Sequence, residues 1–351
     1  TKTQINEEEK FYPLDVYFCT SCGFVQLGHV VSPQILFKDY LYVSSTSKVF
    51  IKHFEAMAEH LYPLFHLNSK SLVVDIGSND GILLKPFKKL GTKVLGIEPA
   101  ANVAKMARAE GIETVSDFFS QILAQDVIKK YGQADLVTAT NVFAHIDDLD
   151  EVIKGLKILL KDNGVFIIEA PYLIDFLQKR YFDLDYHEHL SYWSVDSLKT
   201  LFKRFNMTVF RVEKVPVHGG TIRVFIKRNN GKFPIEKSVE KFLDKEKMMK
   251  LKNISTYLDY AQKIYENKVK LLLLLGKIKR QGKTIAAYGA PAKGNTLLNF
   301  FSIGAETLEY VVDDSKFKQG LYTPGKHIPV VPSQTLYEKK PDYVLILAWN
   351  F

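Results

Sequence analysis

The sequence predicts an α/β protein with two doubly wound domains and a small N-terminal module. Three observations lead there. Apolar strand-like runs alternate with amphipathic helical runs from residue 72 to 169, the pattern of a mostly parallel sheet wrapped by helices. Two such runs end in glycine turns that open helices, one at Asp75-Ile-Gly77-Ser-Asn79-Asp80-Gly81 and one at Tyr288-Gly289-Ala-Pro-Ala-Lys293-Gly294-Asn295. The two cysteines of the 351-residue chain stand together as Cys19-Thr-Ser-Cys22, ahead of both turns.

Composition bounds the function classes. Hydrophobic residues make up 46% of the chain, enough for two or three real cores. The longest conspicuous apolar run, Leu271 to Leu275, lies inside a lysine-rich helical pattern. It falls well short of the roughly 20 residues that span a bilayer, so no membrane partner is expected. Net charge is +8, with lysines spread along helix faces rather than interleaved with aromatics. The charge suits an anionic ligand such as a nucleotide, or nucleic acid, or nothing in particular, and without a dense basic stripe no nucleic-acid partner is expected. No signal peptide is visible and a cytoplasmic location is expected, although the start at Thr1 and the stop just after the strand-like run 343–349 read as cut ends.

Residues 1–47 form the first unit, short apolar pieces around the cysteine knuckle. The two-residue spacing lets both thiolates face one point, which suits half a zinc site better than a disulfide. Residues 48–234 form the second. It opens with a helix at 48–65, whose apolar positions Phe50, Phe54, Met57, Leu61 and Leu64 recur at helical spacing. The strand into Asp75, the glycine turn and a helix through Leu83, Leu84 and Phe87 lead to a strand ending in Glu98, 23 residues after Asp75. This is the layout of a nucleoside-binding βαβ unit, in which the second acid can take two hydrogen bonds from a ribose.

The residues of this turn narrow the ligand. Ser78, Asn79 and Asp80 fill it, and the carboxylates around Gly77 and Gly81 would repel a diphosphate while welcoming a sulfonium and an ammonium. Asp75, Gly77, Asn79, Gly81 and Glu98 therefore read as a site for S-adenosylmethionine. Asp117 and Phe118 are placed to meet its adenine, and the strand-end pair Asn141 and His145 fits the same site. Alternation continues with a helix at 102–109, a strand at 135–139, a helix at 149–160, a strand at 164–169 and a helix at 173–181.

Next comes Tyr186-His187-Glu188-His189-Leu190-Ser191-Tyr192, with two imidazoles, a carboxylate and two phenols in seven residues. Taken alone it is a metal half-site, a polar loop or a proton-transfer cluster. A nearby cofactor and an anionic substrate favour the last. Ser194 is placed to cap a helix carrying Leu198, Leu201, Phe202 and Phe205, and strands follow at 208–212 and 222–227. Residues 235–351 open with two linking helices over 235–279. The second glycine turn follows, with Lys293 in place of acids, and a phosphate is its natural guest. A strand at 308–312 then ends in Asp313-Asp314.

In this order, the cysteine knuckle, the S-adenosylmethionine unit, Tyr186 to Tyr192, His218-Gly-Gly-Thr-Ile-Arg223 and the turn Gly289 to Thr296 resemble the deoxysugar C-methyltransferases. Those enzymes act on nucleotide-linked 4-keto-6-deoxy sugars, and the likeness covers essentially the whole chain. It implies a zinc-binding N-terminal module, a Rossmann-like methyltransferase domain and a second Rossmann-like domain that helps hold the nucleotide sugar. Carried over residue by residue, it implies His189 as general base and Glu188 as its support. It marks Tyr186 and His145 as active-site positions and sets Tyr40 over the sugar; carbonyl chemistry casts Tyr186 or His145, interchangeably, as the enolate donor. It implies substrate contacts from His218, Arg223, Gly289, Lys293, Gly294 and Asn295. Cys19 and Cys22 match the family's second zinc pair, and the first pair is absent from this sequence. The implied reaction is removal of a proton from C3, beside the ketone, and transfer of the methyl to that carbon. An O-methyltransferase and an RNA-binding methyltransferase are the alternatives.

Overall fold

The computed structural model describes residues 5, 7–37, 43–217 and 219–349; Tyr40 and His218 lie outside the described residues. The chain begins with a hairpin of β1 (Val16–Phe18) and β2 (Val25–Leu27) around the knuckle, followed by α1 (Pro33–Phe37). The Cys19 N–H donates to the Phe24 carbonyl at 2.8 Å and the Gly23 N–H to the Cys19 carbonyl at 2.9 Å. Gly23 takes φ +72, a conformation that favours glycine.

The second unit runs α2 (Lys48–Leu64), β3 (Leu72–Ile76), α3 (Leu84–Lys89), β4 (Lys93–Ile97), α4 (Ala101–Ala109), β5 (Thr114–Val115) and α5 (Gln121–Tyr131). It continues through β6 (Ala134–Thr140), α6 (Leu149–Leu159), β7 (Leu160–Pro171), α7 (Leu173–Lys179), β8 (Ser191–Tyr192), α8 (Val195–Lys203), β9 (Met207–Val215) and β10 (Thr221–Arg228). Its sheet has the order β5-β4-β3-β6-β7-β10-β9. The first five strands are parallel and β10 is antiparallel to both its neighbours.

Alternating side chains bury both faces of this sheet, as a parallel sheet requires. Val74, Ile76, Val137 and Ile168 face one core. Val73, Leu136, Val165 and Ile167 face the other, against Phe50, Phe54, Met57 and Leu61 of α2. At α8 the predicted cap is present as a full capping box between Ser194 and Ser197.

The linking helices are α9 (Lys237–Met248) and α10 (Ile254–Arg280). The buried Glu246 of α9 accepts from the first amides of α8, Val195 N at 2.6 Å and Asp196 N at 2.9 Å, where the helix dipole favours an acid. The last unit comprises β11 (Ile285–Tyr288), α11 (Ala292–Phe301), β12 (Val311–Val312), β13 (Val330–Val331), α12 (Thr335–Lys339) and β14 (Tyr343–Ile346). Its sheet, ordered β13-β12-β11-β14, is all parallel.

One pairing joins the units in a way the sequence did not announce. β8, directly after the His-Glu-His run, pairs antiparallel with β2 of the knuckle hairpin, with Val25 opposite Tyr192 and Gln26 opposite Ser191. The N-terminal module thus takes its third strand from the large domain. Val25 and Leu27 join Leu190, Tyr192 and Trp193 in that domain's core, so a module too small to stabilise itself borrows both a strand and a core.

Candidate active site

The C-terminal ends of β3, β4, β5 and β6 carry the residues predicted to hold the cofactor, where ligands of such sheets bind. At the end of β3, Gly77, Asn79 and Gly81 all have positive φ (+68, +49 and +77). A Cβ on Gly77 would come 2.3 Å from Val142 Cγ2, so the turn closes against the end of β6 only because that atom is absent. Glu98 holds the turn, accepting from Asn79 N and from Ala100 N, each at 2.9 Å. The Asn79 Oδ1 accepts from Ser44 N at 2.9 Å, which brings the chain entering α2 to the same turn.

Asp75 is buried and accepts from Thr138 Oγ1 at 2.6 Å. Burial, opposed by that hydrogen bond and helped by the nearby Glu98 and Glu169 charges, pushes its carboxyl up to about 7. Asn141 ends β6 at φ +58, its N–H donating to the Glu169 carbonyl at 2.8 Å. Asp117 and Phe118 follow β5 on the surface, the Asp117 carboxylate accepting from Phe118 N at 2.8 Å. Whether this edge fits S-adenosylmethionine is tested by its orphaned atoms. Among the described residues, Ser78 Oγ and Asp80 Oδ1 are buried without a hydrogen-bond partner, as expected of a turn built around a polar ligand. The residues fit.

The proton-transfer cluster sits beside this edge. The turn is closed by His189 N donating to the Tyr186 carbonyl at 2.8 Å. The Tyr186 hydroxyl lies 3.1 Å from His189 Nε2, and the two rings are 4.4 Å apart. His145, at the end of a 3-10 turn (Phe143–His145), has its ring 5.1 Å from that of His189. The Leu190 N–H donates to the Ala144 carbonyl at 2.8 Å, tying the two loops together. Phe37 of α1 stacks on His145 at 5.8 Å with a 6° interplanar angle. The His145 ring lies deep enough that loss of solvent holds it down at about 4, so it is a neutral imidazole at physiological pH. Glu188 is half-buried in the same turn.

The structure separates the two histidines of the run. His187 Nε2 lies 3.2 Å from both the Tyr12 and the Pro13 carbonyl oxygens, in the N-terminal module. Only His189 faces His145.

Arg223, expected to contact substrate, lies in a buried ion-pair cluster with its side chain 8% exposed, its Nε donating to Glu169 at 2.6 Å and its Nη1 to Glu213 at 3.2 Å. His53 Nε2 meets the other Glu169 oxygen at 2.8 Å. Burial pushes Glu169 up, but His53 and Arg223 outweigh it and hold the carboxylate below its usual range. Glu169 was missed, although its signal was there: an acid ending an apolar strand, as at Asp75 and Glu98.

In the C-terminal unit Gly289 takes φ +87, and a Cβ there would fall 2.4 Å from Ala348. Gly294 packs against Leu347, and Asn295 Oδ1 is buried with no partner among the described residues. Lys293 is buried, with Nζ 3.9 Å from the centre of the Trp349 ring. Loss of solvent, partly offset by Asp183, brings its ammonium down to about 8. Trp349 donates to Asp183 at 2.6 Å and stacks on Tyr181 at 4.2 Å, so this unit grips the segment just before the proton-transfer turn. The Ala290 N–H donates to Asp313 at 2.8 Å, repeating the device by which Glu98 holds the first glycine turn.

Cys19 and Cys22 fit two corners of a tetrahedral zinc site. The Cys22 N–H beside Cys19 holds its thiol below the usual range, and burial pushes Cys22 above it. Among the described residues no third histidine, cysteine or acid joins them, so nothing below is routed through a metal.

Comparison with known proteins finds three family models along the chain. A model of the C-methyltransferase C-terminal domain matches residues 216–351, a methyltransferase domain model matches 50–212, and a third, named for zinc binding, matches 1–37. The C-methyltransferase NovU of Streptomyces niveus is 35% identical over 343 residues, 98% of this chain and 82% of that protein. A ubiquinone biosynthesis O-methyltransferase of Rhodopseudomonas palustris (strain HaA2) is 28% identical over 111 residues, 30% of this chain and 44% of that protein. A structure of magnesium protoporphyrin IX methyltransferase from Synechocystis PCC 6803 with bound SAM aligns over 51% of this chain and 79% of that one, at 15% identity and a TM-score of 0.39. With near full-length similarity to a C-methyltransferase and the cofactor edge in place, the chain belongs to the C-methyltransferase family and is an S-adenosylmethionine-dependent methyltransferase.

Proposed function

We propose that the protein methylates C3, one of the two carbons beside the ketone, of a nucleotide-linked 4-keto-6-deoxy sugar. The observation that carries this reading is His189, placed 3.1 Å from the Tyr186 hydroxyl and ring to ring with neutral His145, next to the cofactor edge. A ketone acidifies the neighbouring C–H, so an imidazole can remove that proton while a donor stabilises the oxygen. With its own proton on Nδ1, His189 presents the Nε2 lone pair, which the Tyr186 hydroxyl covers in this structure. Substrate displaces that hydroxyl, which then donates to the enolate oxygen, with the His145 N–H as a second donor. S-adenosylmethionine supplies an electrophilic methyl. The carbanion takes it, forming a C–C bond as the C–S bond breaks, and His189 keeps the proton as imidazolium beside Glu188.

His189, Glu188, Tyr186, His145 and Tyr40 are the proposed catalytic set. Asp75, Gly77, Asn79, Gly81, Glu98, Asp117, Phe118 and Asn141 are the proposed cofactor set. Lys293 with Gly289, Gly294, Asn295 and His218 is proposed to hold the nucleotide end. C-methylation, the activity for which NovU is named, supports the reaction type. The test is product analysis after incubation with S-adenosylmethionine and a panel of nucleotide 4-keto-6-deoxy sugars. A C-methyl NMR signal that survives hydrolysis is expected. A methoxy signal would contradict the proposal and favour O-methyl transfer, the activity named for the partial relative.

A further inference from the structure

We infer that His187 is a positioning residue, a strut through which the N-terminal module sets the place of His189. The nitrogen at issue, Nε2, lies 3.2 Å from two carbonyl oxygens, those of Tyr12 and Pro13. Both are acceptors, so this nitrogen must carry the proton and share it between them. A nitrogen committed in that way cannot take a proton from substrate, which gives the neighbouring histidines different work.

The acceptors are prepared for it. Pro13 has a fixed φ and no N–H, and it confines Tyr12 to extended backbone, so two successive carbonyls are held ahead of β1. The Tyr12 ring sits edge-on to the His187 ring at 6.0 Å, and Leu14 packs against the main core. The other end of the turn is held by the same module, with Leu27 N donating to the Leu190 carbonyl at 2.9 Å and the β2–β8 ladder following at once. Residues 188 and 189 are therefore suspended between two attachments to the module. The Leu190 to Ala144 bond carries any displacement on to the loop of His145. Loss of the strut leaves the base chemically intact but less firmly placed, and misplacement of a reacting group by about 1 Å can cost on the order of 100-fold in rate.

The test uses the full chain with His187→Ala and His187→Gln, the second because the glutamine amide can reach where Nε2 stood and donate to the same carbonyls. Two readouts are taken: hydrogen exchange of backbone amides, and steady-state methyl transfer. The kinetic readout rests on the proposed function; the exchange readout does not, so a wild-type protein inactive on every sugar would sink that function while still judging the strut. Expected for His187→Ala is faster exchange confined to residues 25–27 and 186–192. Its kcat is expected to fall about 10-fold or more, with KM for S-adenosylmethionine within about twofold of wild type. His187→Gln is expected to recover both. Unchanged exchange overturns the inference, whether turnover is kept or lost, the latter marking a direct chemical role. Loosened exchange with normal kcat, or loosening spread through β3 to β7, also overturns it.

Discussion

Asp75 shows how far burial alters a residue's chemistry. Its carboxyl titrates near 7 rather than 3.8, chiefly because it is buried. Between those values the native state keeps a proton that the unfolded state has released, so this group's contribution to stability falls as pH rises through the window. Asp75→Asn keeps an acceptor for Thr138 and removes the titration. In cofactor-free protein it should gain stability relative to wild type by about 2 kcal/mol more at about pH 8 than at about pH 5, measured by denaturant unfolding. A pH-independent difference would refute the assignment. At this scale the sequence was legible where chemistry is local: an acid before a glycine turn and an acid ending the next strand. Spacing did not separate His187 from His189, two residues apart in one motif; only the family resemblance singled out His189. The structure separates them by the contact of His187 with the Tyr12 and Pro13 carbonyls, some 175 positions away. The ion pairs of Arg223 were illegible for the same reason, since its partners Glu169 and Glu213 lie on the two flanking strands.

Elements were easier to read than their ends. The 48–65 helix, the strand into Asp75 and the Ser194 cap were each set by apolar spacing or one capping side chain, and the structure has them within a residue or two. β7 was expected at 164–169 but runs Leu160–Pro171, because Leu160 pairs with Ala134 across a register shift that the polar stretch 161–163 conceals. The strand expected at 308–312 is only Val311–Val312, because Leu308 N bonds back to Gly304 in a turn. The first glycine turn is the element proposed to hold the cofactor. Gly77→Ala would place a methyl 2.3 Å from Val142 Cγ2 at φ +68. It should weaken S-adenosylmethionine binding by about 10-fold or more and cost about 1–3 kcal/mol of stability. Calorimetric affinity within twofold of wild type would show that the turn relaxes freely.

At the scale of the whole molecule, all three units converge on residues 181–192. The N-terminal module adds β2 to β8, the large domain contributes the turn itself, and the C-terminal unit grips Tyr181 and Asp183 through Trp349. Phe182 stacks on Phe301 of α11 at 5.0 Å, in the same joint. None of this is visible in composition or periodicity, since each contact joins segments more than a hundred residues apart. Trp349→Ala should raise KM for the sugar nucleotide about 10-fold and leave cofactor affinity unchanged, because it loosens the C-terminal grip without touching β3 or β4. Equal loss of both affinities would mean that the joint supports the entire fold. No helix of the described residues is long and apolar enough to cross a membrane. Removal of a carbon-bound proton by His189 is the proposed key step, and exchange of that proton with solvent deuterium tests it most directly. Wild-type protein in D2O with a nucleotide 4-keto-6-deoxy sugar should lose the NMR signal of the hydrogen on C3. His189→Asn should retain that signal while binding S-adenosylmethionine within about twofold of wild type. Exchange by the variant at the wild-type rate would contradict the account.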